Sequence, residues 1–110
     1  MEAAGAGTAS YGIYDGARSL TAACQLAPQG IDLEVGLSVL PAFRRRGLAA
    51  ALLDRAMTHA RDRGHAALII HSLADNVAML RLARRMGMTI QILQGDADGR
   101  LSLRTEALED

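Results

Sequence analysis

The sequence predicts an α/β domain with a mixed sheet, in the order β-β-β-α-β-α-β-β, and three stretches carry that prediction. Residues 31–40, IDLEVGLSVL, alternate apolar and polar positions, the period of a strand with one buried face. From Leu48 the apolar spacing lengthens to that of a helix. Between this helix and a second helical stretch lies AALII at 66–70, continuously apolar like strands covered on both sides of a sheet.

Taken in order, residues 1–10 are small and are expected to be a flexible amino end, with one domain over 11–110. YGIY and RSLTAACQL flank Asp15-Gly16, a dipeptide suited to the type I′ turn of a hairpin. Pro28-Gln29-Gly30 marks the next turn. In the third strand Ile31, Leu33, Val35, Leu37 and Val39 are expected to point inward, while Asp32, Glu34, Gly36 and Ser38 share the other face. The first helix buries Leu48, Leu52, Ala56 and Ala60, backed by Ala49, Leu53 and Met57, and shows Asp54, Arg55, Thr58, Arg61 and Asp62 to solvent. Gly64 closes it. The apolar strand ends at His71-Ser72, after which Asp75 is expected to cap a second helix. That helix buries Val77, Leu80 or Met79, Leu82, Ala83 and Met86, and stops at Gly87. MTIQIL and RLSLRTEAL, joined through Asp98-Gly99, form the final hairpin.

Composition removes several function classes. Half the residues are hydrophobic and the formal charge is zero, so no overall field attracts nucleic acid or an anionic membrane. All twelve basic residues are arginine, which excludes lysine Schiff-base chemistry on this chain. Cys24, the single cysteine, can form no internal disulfide, and the expected compartment is a reducing cytoplasm. The amino end has no secretory h-region, and no apolar run reaches membrane-spanning length. No metal site is expected.

The zero net charge makes the run Arg44, Arg45 and Arg46 conspicuous. A strand, a short loop containing Gly47 and an immediate helix leave several amides pointing one way, and together with the helix dipole these form an anion site suited to phosphate. Arginine beside it adds charge-assisted bonds. The plainer alternative is a solvated loop patch. SVLPAFRRRGLAAALL resembles the acyl-CoA loop of the GNAT superfamily of N-acetyltransferases, an Arg/Gln-x-x-Gly-x-Gly/Ala pattern met here by Arg44, Gly47 and Ala49. NVAMLRLARRMGM resembles the family's later segment, in which an Asn opens a helix and a Gly followed by an apolar residue ends it.

That resemblance spans roughly Tyr11 to Leu103. It implies that acetyl-CoA lays its pyrophosphate on the amides of Arg45, Arg46, Gly47, Leu48 and Ala49, with Arg44 in the loop. It places pantetheine beside Leu37, Ser38 and Val39, and the cofactor's arm near Asn76. The strands of Val39 and His71 are expected to splay to admit that arm. The resemblance also implies a short form, without the family's amino-terminal strand and two helices, and the incomplete cover favours a homodimer.

Acetyl transfer to an amine needs a base and stabilisation of the developing oxyanion. Glu34 occupies a strand position where many family members carry a base; its plainer reading is a solvent-facing strand residue. His71, at a strand's carboxyl end, is the rival, with a hydrogen-bonded strand cap as its own alternative. His59 and His65 read as surface residues. Ser72 cannot pair with His71 as a nucleophile, because adjacent strand residues point to opposite faces. Many relatives carry a tyrosine in the second helix to protonate the leaving thiolate; here that position is Ala83, leaving water, Tyr11 or Tyr14.

The expected function is acetyl transfer from acetyl-CoA to a primary amine of a small molecule or protein, for which Asp32, Glu34, Asp96 and Asp98 would suit a cationic acceptor. The alternative is a catalytically weak acyl-CoA-binding or regulatory domain. RLARRMGM superficially resembles part of a helix-turn-helix, but no basic stripe accompanies it, and no nucleic-acid partner is expected.

Overall fold

In the computed structural model, which describes residues 8–103, six strands and two helices follow the expected order. The strands are β1 (Ala9–Tyr14), β2 (Leu20–Gln29), β3 (Asp32–Val39), β4 (Ala67–Leu73), β5 (Thr89–Leu93) and β6 (Asp96–Ser102). The helices are α1 (Leu48–Asp62) and α2 (Val77–Arg85). One mixed sheet runs β1-β2-β3-β4-β6-β5, with β3 and β4 parallel and the remaining neighbours antiparallel.

Strand alternation divides the sheet into two faces with different solvents. Ala22, Cys24 and Leu26 of β2 stand opposite Val39, Leu37 and Val35 of β3, and Leu33 and Val35 continue the row to Leu68 and Ile70 of β4. Except for the partly buried Leu37 and Val39, which pack against it, these side chains join Leu52, Leu53, Ala56 and Ala60 of α1 and Leu82 and Ala83 of α2 in one buried cluster. The opposite face carries Asp32, Glu34, His71, Asp98 and Arg100 and is the polar side. Among the described residues no helix is long and apolar enough to cross a membrane.

The turns depart from expectation in instructive ways. The first strand starts at Ala9, so residues 9 and 10 belong to the sheet rather than to a flexible end; residues 1–7 lie outside the described residues. The reversal at Asp15 is longer than a two-residue turn. Asp15 Oδ1 accepts from the amides of Ala17 and Ser19, Arg18 takes a positive φ of 67°, and β2 begins only at Leu20. Pro28 and Gln29 stay in β2, opposite Leu33 and Asp32, and the chain turns through Gly30 and Ile31. Ile31 is therefore at the turn and 65% exposed instead of inward.

Asp98-Gly99 is not the last turn. Gln94 and Gly95, with φ of 53° and 87°, make the reversal, and Asp98 and Gly99 lie within β6. Gly99 sits in a tight place: a Cβ there would lie 3.0 Å from Ile70 Cγ1 and 3.2 Å from Met88 Sδ. The part of the expected last strand beyond Leu103 lies outside the described residues. At α2, Asn76 rather than Asp75 is the N-cap, its Oδ1 accepting from the Met79 amide at 3.2 Å. Val77, expected inside, is exposed, while Leu80, Leu82 and Ala83 are buried. Gly64 and Gly87 follow the two helix ends at positive φ, as their positions demand.

Candidate active site

The loop that follows β3 begins with a single 3₁₀ turn at Pro41–Phe43. Each arginine then does something different. Arg44 donates from Nε to the Val39 carbonyl at 3.2 Å, tying the loop back to the strand. Arg45 adopts a positive φ of 64°, and the Arg46 guanidinium lies 5.1 Å from the centre of the Phe43 ring. Gly47 is the N-cap of α1 in the left-handed region, φ 76°, and a Cβ there would meet nothing within 4 Å. No side chain caps α1 and no acid lies in its first turn. The first-turn amides have no intrahelical acceptor and no side-chain cap, with the positive end of the helix dipole behind them.

Next to this loop the sheet forks. The β3–β4 ladder joins Asp32 to Ala67, Leu33 to Leu68, Glu34 to Ile69 and Val35 to Ile70, and goes no further. Beyond it, among the described residues, β3 continues through Gly36, Leu37, Ser38 and Val39, paired only with β2, while β4 continues through His71, Ser72 and Leu73, paired only with β6. Backbone groups on the inner edges of both arms therefore lack ladder partners, leaving an extended slot between two strands. Asn76 follows the β4 arm, with its side-chain carbonyl used in the helix cap.

At the apex of the fork, on the polar face, Glu34 and His71 meet. Glu34 Oε2 is 2.9 Å from His71 Nε2, and Asp98 Oδ1 is 2.7 Å from His71 Nδ1. Two residues expected to be rivals are thus bonded to each other, and a third joins them from β6. Ionised carboxylates only accept hydrogen bonds, so both contacts are satisfied when both imidazole nitrogens carry protons. The bonds to Asp98 and then to Glu34 raise the His71 pKa above the ordinary histidine value, against a smaller opposing effect of burial. A row away, Arg100 donates to Asp32 from Nη1 at 3.0 Å and from Nη2 at 3.5 Å, so these two charges offset each other. The acidic residues Asp32, Glu34, Asp96 and Asp98 do share one face.

Asp98, named above among the acids suited to a cationic acceptor, is brought to His71 by strand alternation: Asp96, Asp98, Arg100 and Ser102 take one face of β6, and Ala97, Gly99 and Leu101 the other. The Asp-Gly turn signal points the opposite way.

The helix-covered face holds a second histidine, and it is not a surface residue. His59 is buried. Arg63 Nε donates to His59 Nε2 at 2.9 Å, so Nδ1 carries the remaining proton and donates to the Tyr11 hydroxyl at 2.9 Å. Burial, with Arg63 next, lowers the His59 pKa. This contact commits Tyr11 to the α1 side, away from His71, and removes it as a proton donor at the fork. Ala83 is wholly buried and offers none either. Cys24 is buried in the core and its thiol is pushed up by desolvation, which removes a cysteine nucleophile.

Comparison with known proteins now defines the class. The model of the Acetyltransferase (GNAT) family matches residues 6–88. The chain belongs to that family. A comparison with curated proteins finds no match. Among solved structures it is similar to the GNAT domain of S. lividans PAT (22% identity, TM-score 0.78, covering 87% of this chain and 61% of that one). It is similar also to the ribosomal-protein-S18-alanine N-acetyltransferase from Escherichia coli (20% identity, TM-score 0.78, 92% and 72%). A third is a Bacillus subtilis acetyltransferase in complex with CoA (18% identity, TM-score 0.75, 86% and 76%). The chain spans less than two thirds of the first of these. At such identities the likeness is one of fold.

Proposed function

We propose that this chain transfers an acetyl group from acetyl-CoA to a primary amine, by direct attack in a ternary complex, and that its acceptor is cationic, a small molecule or a protein. The observation that carries the reading is the fork between β3 and β4, with Glu34 and His71 joined across its apex on an acidic face.

The residues present fit the acyl donor. Open space at the left-handed Gly47 and uncapped first-turn amides suit a pyrophosphate, held by Arg45 to Ala49 with Arg44 and Arg46 bracing the loop. The slot beside Leu37, Ser38 and Val39 suits an extended amide-bearing arm, and the Asn76 side-chain nitrogen, unused in its cap, is available to it. Acetyl-CoA supplies a thioester carbonyl that is already reactive. The chain supplies position and a proton acceptor. Glu34 and the Nε2 of deprotonated His71 take the proton that the amine must lose, and Asp96 and Asp98 draw the cation toward them. With no tyrosine at Ala83, the departing thiolate takes its proton from water.

Isothermal titration with acetyl-CoA and with CoA tests the cradle. Wild type is expected to bind in about the micromolar range, Arg46→Ala more weakly, and Gly47→Asp not at all. Absence of binding at millimolar cofactor would overturn the reading. The buried Ala83 favours one alternative, a domain that binds acyl-CoA without turnover; it predicts the same titration and no acetylated product from any amine. Exposed Tyr14, Leu20, Leu73 and Leu93 and the edge strand β1 support a homodimer, which sedimentation tests. The buried free Cys24 suits a reducing cytoplasm.

A further inference from the structure

We propose that Asp98 is a positioning residue for proton transfer: from β6 it holds Nδ1 of His71, so that Nε2 is presented to Glu34 across the apex of the fork. The inference deepens the acetyl-transfer reading and rests on it.

Three strands each contribute one residue. His71 lies directly opposite Asp98 in the β4–β6 ladder, whereas Glu34 pairs with Ile69, two residues earlier on β4. Ile70 is the last β4 residue laddered to β3, so the imidazole bridges the strands where the backbone no longer does. A ring held at one nitrogen alone could swing about its χ2 torsion; contacts of 2.7 Å and 2.9 Å on opposite edges fix its plane.

The second contact also decides which nitrogen works. When the imidazolium loses one proton, the shorter contact, 2.7 Å to Asp98 against 2.9 Å to Glu34, favours keeping the other on Nδ1, and Nε2 becomes the acceptor beside Glu34. In the transfer step the amine nitrogen bonds to the acetyl carbon and the carbon–sulfur pair leaves with sulfur. The amine proton passes to Nε2, directly or through Glu34. Asp98 orients the ring and takes no proton in this step.

Among the described residues no other charged group competes at the ring. From β3, Glu34 touches it and Asp32 is engaged by Arg100; from β6, Asp98 touches it, Arg100 is engaged by Asp32, and Asp96 stands one row away opposite Leu73. Gln91 of β5, opposite Asp98, does not titrate.

The test uses the full chain with Asp98→Asn, the conservative Asp98→Glu, and His71→Ala to assign the resonance. The ring signals of His71 are followed by NMR against pH. Acetylation of 1,4-diaminobutane by acetyl-CoA is followed across the same range. Wild type is expected to titrate above the ordinary histidine value of about 6.5, with Asp98→Asn moved lower and Asp98→Glu moved back toward wild type. In parallel the acid limb of kcat/KM shifts to lower pH in Asp98→Asn, kcat falls about tenfold or more, and KM for acetyl-CoA stays unchanged. A His71 titration that Asp98→Asn leaves unmoved overturns the positioning role whatever the turnover. Absence of turnover in wild type, across this and other primary amines, is a separate failure: it overturns the acetyl-transfer reading and the purpose assigned to Asp98 with it.

Discussion

At the scale of single residues the two bonded histidines respond to pH in opposite directions. The His71 pKa is raised by Asp98 and Glu34, so its contribution to stability is fully present below the unfolded value of about 6.5 and is lost as pH rises through the folded value. The His59 pKa is lowered by burial, so its contribution is present above about 6.5 and is lost as pH falls from there toward the folded value. Thermal unfolding across pH is expected to show His71→Gln flattening the alkaline side of the profile and His59→Gln the acid side. A profile unchanged by either substitution would contradict the contacts described. Because half of the His71 side chain is exposed, its effect is expected to be the smaller. At Gly47 the constraint is conformational. A Cβ finds open space there, yet φ is 76°, so Gly47→Ala should destabilise by roughly 1 kcal/mol through the backbone alone.

At the scale of elements, helix starts and strand ends divide the labour. The two helices begin differently: α2 is capped by Asn76, whereas α1 starts at a glycine with no side-chain acceptor. Asn76→Ala is therefore expected to cost about 1 kcal/mol in urea unfolding, and Asp75→Ala much less. The opposite ranking would restore Asp75 as the cap. The last hairpin makes a comparable point. Gln94 adopts a φ of 53° that favours glycine or asparagine, so Gln94→Gly should stabilise by about 0.5 kcal/mol. The fork is itself an element-scale device, since two parallel strands bonded over only four residue pairs open a slot without disturbing the core beneath.

At the scale of the whole molecule the two sheet faces separate the core from the proposed chemistry. The helix-covered face holds Leu26, Leu33, Leu53 and Leu68, each essentially inaccessible. Leu53→Ala should destabilise by about 3 kcal/mol, measured by chemical denaturation. For a domain whose total stability is on the order of 5–15 kcal/mol that is a large share. The other face carries the acids, and acetylation of a dicationic amine should weaken with rising salt more steeply than that of a monocationic one. Equal salt slopes would argue against electrostatic recognition on this face.

The order of strands and helices, the inward rows of β3 after Ile31 and of α1, and the glycine that opens α1 were readable from the chain, because period and glycine placement act between neighbours in sequence. So was the shared face of Asp32 and Glu34, which follows from a period of two. Where a local signal had two possible uses, only packing chose between them. Asp98-Gly99 reads as a turn, but the chain reverses at Gln94 and Gly95, and the β4–β6 register places Asp98 beside His71. His59 sits on the polar side of a helical pattern until Tyr11 and Arg63 enclose it. The union of Glu34, His71 and Asp98 depends on the register of three strands, and register is set by the tertiary pairing of residues far apart in the chain.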